Sequence, residues 1–198
     1  EPAIAAIAHG SAAGVATLIG TNRDENRLFT AMDPRIASET ALQQRAETQV
    51  GEATSQRLLV GYQASNPTSS RYDLLNDLLT DRTFRIPAVR LAERQVEQGA
   101  PVWMYRFDWR SPALDGRLGA CHALELPFVF DTLDDPGFGM LTGDLPARRT
   151  LAERMQDAWI AFARTGDPST AALPAWPAYD TTRRATMLFD DECRVQDD

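Results

Sequence analysis

Hydrophobic positions along the chain follow two periods, one of a strand and one of a helix. Residues 102–107, Val-Trp-Met-Tyr-Arg-Phe, put Trp103, Tyr105 and Phe107 on one face and Val102, Met104 and Arg106 on the other, the two-residue period of a strand. Residues 15–19 are a short, partly β-branched apolar run bounded by Gly14 and Gly20. That run predicts a buried parallel strand, ended by Gly20 and followed by a loop over 21–26. Residues 186–189, Thr-Met-Leu-Phe, form a last short strand. The clearest helix is 149–164, with Leu151, Met155, Ala158, Trp159, Phe162 and Ala163 at helical spacing and Gly166 and Pro168 as its stop. Its apolar face should lie on the sheet.

Between the first two strands the pattern turns helical. A helix is expected over 33–51, with Pro34 in its first turn and Gly51 as its stop. Another falls within 54–62, and a turn cluster covers 64–70. Leu74, Leu75, Leu78 and Leu79 share one stripe of a helix over 70–79. Residues 80–99 read as one long helix or two abutting ones, with Pro87 starting or kinking the second piece. Ala88, Leu91, Ala92 and Val96 share its inner face. Residues 111–118 form a loop, 131–146 an acidic surface loop, 174–179 an extended aromatic segment over the core, and 190–198 a frayed acidic tail. Alternation of strands and helices makes this an α/β protein with a few-stranded sheet and packed helices.

Composition narrows the partners. The 198 residues fit one domain or part of a larger one. A net charge of −8, with no basic face to offset it, argues against nucleic acid. Every basic residue other than the two histidines is Arg, so lysine chemistry is excluded for this chain. Cys121 and Cys193 can form one bridge or stay free, and free thiols in a reducing cytoplasm are the expected state. Two histidines and two cysteines without metal-ligand spacing give no metal site and no cofactor is called for. No apolar run reaches membrane-spanning length, and the N-terminus lacks the basic region of a signal peptide. Cytoplasmic placement is expected.

Five polar residues invite a chemical reading. Ser11, in Gly-Ser-Ala-Ala-Gly, sits one place too early for a nucleophile elbow and is followed by a strand instead of a helix, so it reads as a loop residue, as does His9. Glu25 lies on the loop beyond the first strand, where open α/β sheets bind ligands. On composition alone it is a solvated carboxylate between Arg23 and Arg27. His122 sits in a small-residue bend beyond the 102–107 strand. Adjacent strands would bring these two together although they are 97 positions apart. Glu125, three residues after His122, is either a carboxylate supporting such a pair or a plain surface charge.

Residues 119–130, Gly-Ala-Cys-His-Ala-Leu-Glu-Leu-Pro-Phe-Val-Phe, resemble the histidine segment of the type-B carboxylesterases, the branch of the α/β-hydrolases that includes para-nitrobenzyl esterases. Residues 20–29, Gly-Thr-Asn-Arg-Asp-Glu-Asn-Arg-Leu-Phe, resemble that family's acid loop. The stretches 159–168 and 176–179 follow in family order. The resemblance implies that residues 1–198 are the C-terminal portion of an α/β-hydrolase domain, with 31–86 a helical insertion near the active-site entrance. It implies a Ser-Glu-His triad that cleaves small carboxylic esters through an acyl-enzyme. Glu25 would be the orienting carboxylate and His122 the general base and acid. The serine would lie upstream, so the chain supplies no nucleophile and is expected to be inactive alone. The missing N-terminal portion is then an expected partner, with self-association through an exposed strand edge as the other outcome. A non-catalytic adhesion module of the same fold is the rival class.

Overall fold

The structure, a computed structural model, describes residues 2–33, 38–144 and 146–197. Among the described residues four strands make one sheet in chain order: β1 (Thr17–Asn22), β2 (Val102–Phe107), β3 (Thr186–Phe189) and β4 (Arg194–Gln196). β1, β2 and β3 are parallel and β4 runs antiparallel to β3. Thr17 stands opposite Val102 and Asn22 opposite Phe107, so β1 and β2 end level with each other. The loops that follow them therefore leave the same edge of the sheet side by side.

β1 continues through Gly20 to Asn22 and does not stop at the glycine. Gly20 faces Tyr105 across the ladder, and a Cβ there would come 2.4 Å from that ring. The glycine admits a side chain from the next strand; it does not end its own, the second common use of glycine in a sheet. The tail also differs from expectation, because Arg194–Gln196 pairs with β3, Val195 opposite Met187. Within the segment read as a surface loop, Pro136–Thr142 forms helix α8. Asp135 caps it by accepting the Gly137 N–H at 2.8 Å, Pro136 sits in the first turn, and Gly143 stops it at φ +58°.

The helices of the first crossover follow the leucine pattern. After α1 (Ala3–Ala8) and α2 (Asn26–Met32), the series is α3 (Glu39–Val50), α4 (Glu52–Ser65), α5 (Arg71–Thr80) and α6 (Ile86–Glu97). Ser38 and Ser70 cap α3 and α5 through their hydroxyls. The expected start of α3 at Pro34 falls on residues 34–37, outside the described residues. α5 and α6 are joined by a widened π-helical turn, Asp81–Arg85. Pro87 breaks nothing, because it falls in the first turn of α6 where its missing N–H is not needed.

Three apolar clusters result. α9 (Ala147–Thr165) lays Leu151, Met155 and Ala158 against Trp103, Phe107, Met187 and Phe189 of the sheet, with Phe128 of α7 (Leu126–Val129) among them. Ala92 of α6 covers Val102 and Met104 on the opposite face, joined by Tyr179. Helices α3 to α5 close on a core of their own: Leu42, Ala46, Leu59, Leu74, Leu75, Leu78 and Leu79. The aromatic segment lies over the sheet as expected, with the Trp176 indole N–H donating to the Met104 carbonyl at 3.2 Å. Among the described residues no helix is long and apolar enough to cross a membrane.

Candidate active site

The ladder between β1 and β2 is prolonged by one bond, from the Arg23 N–H to the Phe107 carbonyl at 2.9 Å. Asp24 then stitches the first loop to the second. Its N–H donates to the Ala120 carbonyl at 2.9 Å, and its Oδ2 accepts the Ala120 N–H at 2.9 Å. Gly119 makes this approach possible: it sits at φ +58°, and a Cβ there would lie 2.3 Å from Asp24 Oδ2. Glu25 follows at the N-terminal boundary of α2 but does not cap the helix with its side chain. Instead the Asn26 N–H finds Thr80 Oγ1 at 3.0 Å, which leaves the Glu25 carboxylate for other partners.

Those partners are the Asn22 N–H, donating to Oε1 at 2.8 Å, and His122 Nδ1, 2.7 Å from Oε2. Glu25 and His122, taken together from the sequence, are in direct contact. The following residue, Ala123, is at φ +63°, a left-handed conformation that turns the chain sharply behind the histidine. Phe29 and Phe84 flank the imidazole, with centroids 5.3 and 5.1 Å from it. The two partners differ in access: the Glu25 side chain is 6% exposed and that of His122 41%. With Nδ1 donating to the carboxylate, Nε2 is the ring's free acceptor. Burial pushes the Glu25 carboxyl above its usual value. The Asn22 N–H and His122 oppose that rise, and the charge of Glu125 adds to it.

Glu125 lies beside the pair, as one of its two sequence readings allowed. Its Oε2 accepts from Asn22 Nδ2 at 2.5 Å, and the same amide nitrogen donates to the Cys121 carbonyl at 2.7 Å. Neither Asn22 nor Asp24 is singled out by sequence reasoning. The available signal is their place, since polar residues leaving the C-terminal end of a buried parallel strand face the site. A further buried set joins this edge to the helices. Asn26 Nδ2 donates to Asn76 Oδ1 at 2.8 Å, and Asn76 Nδ2 to the Tyr72 carbonyl at 2.9 Å.

Beside the acid loop lies a polar cleft of about 600 Å³ lined by Arg23, Asp24, Arg27, Tyr62, Asp73, Asp77 and Asp81, among others. Arg27 bridges Asp24 at 3.2 Å and Asp73 at 2.8 Å. Among the described residues no three His, Cys, Asp or Glu side chains gather to hold a metal ion. Cys121 and Cys193 are free, and burial pushes the Cys121 thiol up to about 12, which leaves it unreactive. His9 caps the end of α1, and Ser11 follows it before β1 begins. Both lie at the opposite end of β1 from Glu25, so they take no part in this site.

The mixed sheet, with helical crossovers between its three parallel strands and polar loops beyond their C-terminal ends, is an open α/β sheet, and its likeness to solved carboxylesterases makes the fold that of an α/β-hydrolase. A Geobacillus stearothermophilus carboxylesterase crystallised at pH 6.2 superposes with a TM-score of 0.83 at 40% identity, over 98% of this chain and 40% of that one. The chain belongs to the carboxylesterase family, whose model matches residues 2–198. It is 40% identical over 193 residues to the para-nitrobenzyl esterase of Bacillus subtilis, covering 98% of this chain and 38% of that protein. It is 33% identical over 180 residues to the phenmedipham hydrolase of Pseudarthrobacter oxydans, 88% of this chain and 36% of that protein. The chain thus spans well under half the length of these relatives.

Proposed function

We propose that these residues form the C-terminal part of a serine carboxylesterase and supply two of its three triad members. The observation that supports this reading is the 2.7 Å contact between buried Glu25 and half-exposed His122, which leaves Nε2 open to a substrate-side partner. A serine outside these residues is the nucleophile. His122 Nε2 takes its proton as Oγ bonds to the ester carbonyl carbon, and gives that proton to the leaving alcohol as the C–O bond breaks. Water then repeats the cycle on the acyl-enzyme and regenerates the serine. Glu25 holds the imidazole in one tautomer and balances its charge while it is protonated.

Helices α3 to α5 belong to the insertion that walls the approach to His122, with Phe84 of the following π-turn against the ring. The outer edge of β1, unpaired among the described residues, takes a strand from an earlier part of the same protein, and self-association through that edge is its alternative. The 198 residues alone are inactive for want of the serine.

The test is steady-state hydrolysis of a para-nitrobenzyl ester by the whole protein. His122→Ala is expected to lower kcat by about 10³-fold or more, and Glu25→Gln by a similar or smaller factor. Turnover of the His122→Ala protein within tenfold of the parent overturns the assignment. So does hydrolysis by the isolated chain.

A further inference from the structure

Two carboxylates are tied to the turn that carries His122: Glu25 by a direct bond, and Glu125 through the Asn22 amide that also holds the Cys121 carbonyl. Glu125 follows His122 by three residues and is near enough to Glu25 for its charge to act there. An imidazole oriented by the wrong carboxylate would present the wrong nitrogen or the wrong direction to a substrate. One buried residue, Asn22, bonds both acids. Both acceptors near the Asn22 carboxamide, the Cys121 carbonyl and the Glu125 carboxylate, require its nitrogen to face them. Its two N–H groups are therefore spent on the residue before His122 and on the competing acid. Its main-chain N–H holds Glu25 Oε1. A single residue thus fixes the partner acid, the rival acid and the start of the histidine bend.

We infer that Asn22 is a positioning residue, which assigns His122 to Glu25 by holding Glu125 aside and anchoring the Cys121 carbonyl. The inference rests on the catalytic reading of Glu25 and His122 given above. Only a neutral donor fits the position. Aspartate has the same shape but would set a third carboxylate against an acceptor carbonyl and another carboxylate. Exchanging both partners, Asn22→Asp with Glu125→Gln, remakes the side-chain bond with donor and acceptor reversed.

The experiment is the pH dependence of kcat and KM for a para-nitrobenzyl ester in the whole protein, with Asn22→Asp, Glu125→Gln, the double variant and His122→Ala. Asn22→Asp is expected to lower kcat by about 30-fold with KM within about threefold, and to move the acid limb of kcat to higher pH, because added negative charge favours the imidazolium. Glu125→Gln loses severalfold. The double variant regains at least about tenfold over Asn22→Asp, the non-multiplicative result of two residues in contact, while the moved acid limb with KM held is what a merely structural role does not give. Asn22→Asp within twofold of the parent, or a double variant no better than Asn22→Asp, overturns the inference. If Asn22→Asp does not melt cooperatively, Asn22→Ala replaces it. About tenfold loss in kcat with an unmoved acid limb is then expected, and an unchanged kcat overturns the inference. His122→Ala separates the two levels: if it still turns over, the triad reading fails, whereas an inert His122→Ala beside a normal Asn22→Asp removes only the role of Asn22.

Discussion

The loops beyond β1 and β2 and the three-helix unit α3 to α5 are held together by different forces. In the helices, seven buried apolar side chains close on one another. In the loops, Asn22, Asp24 and Glu25 spend their polar atoms on the backbone around Ala120 and Cys121, on His122 and on Glu125. Apolar packing is non-directional, so truncation lowers stability without dictating where neighbouring groups point. A hydrogen-bonded junction has little area to lose but fixes direction, so a change of donor or acceptor is felt as misplacement. The two regions meet at Asn26 and Asn76, where α2 is tied to α5.

The largest effect on stability should come from the leucine core. Leu75 is fully buried, and Leu75→Ala is expected to cost about 3 kcal/mol in denaturant unfolding. Esterase kcat, per folded molecule of the whole protein, should stay within about threefold of the parent. A parallel collapse of kcat would show that the helices set the site's geometry directly. Asn76→Ala comes next. It strands the Asn26 amide, and about 2 kcal/mol should be lost. Here kcat should also drop, by about tenfold, because α2 carries Glu25 at its start. Lost stability with intact kcat would mean that this bond does not hold the acid loop.

The smallest effect is electrostatic and pH-dependent. The Asp77 carboxyl is pushed up to about 6 from 3.8 by burial first, then by Asp24, Asp81 and Asp73, with Arg27 pulling the other way. Between those two values the folded chain holds more protons than the unfolded one, so stability falls as pH rises through the window. Asp77→Asn should therefore stabilise the protein by about 1 kcal/mol at pH 8, after allowance for solvent screening, and by nothing below about pH 4. Thermal midpoints across that range provide the check. A constant difference between the two proteins would assign the effect to packing instead.

What could be read from the chain followed the same division. Val102–Phe107 and the Leu151–Met155 helix announce themselves because burial on one face imposes a period on the sequence itself. Glu25 and His122 were legible through segment resemblance and through strand ends that imply a shared edge. Asn22 was not, since its importance lies in Cys121 and Glu125, about a hundred residues away. β4 was missed because its pairing depends on β3 more than on the acidic residues around it. The α8 cap at Asp135 and Pro136 was present in the sequence but hidden by the surrounding glycines. For Asn22 and β4 the deciding contacts lie in distant parts of the chain; for α8 they are local.

Gly20 and Tyr105 have a consequence for how such a sequence can change over time. A methyl group at position 20 would come 2.4 Å from the Tyr105 ring, so the glycine cannot be replaced first without moving the ring off Trp159 and Phe189. Replacing the tyrosine first leaves only a gap, which costs stability but keeps the chain foldable. The two positions are therefore a one-way gate: a lineage can pass through a smaller residue at 105 and then enlarge 20, but the reverse order is closed. Descendants should vary at these sites together, in that sequence of steps, while neighbouring surface positions drift freely.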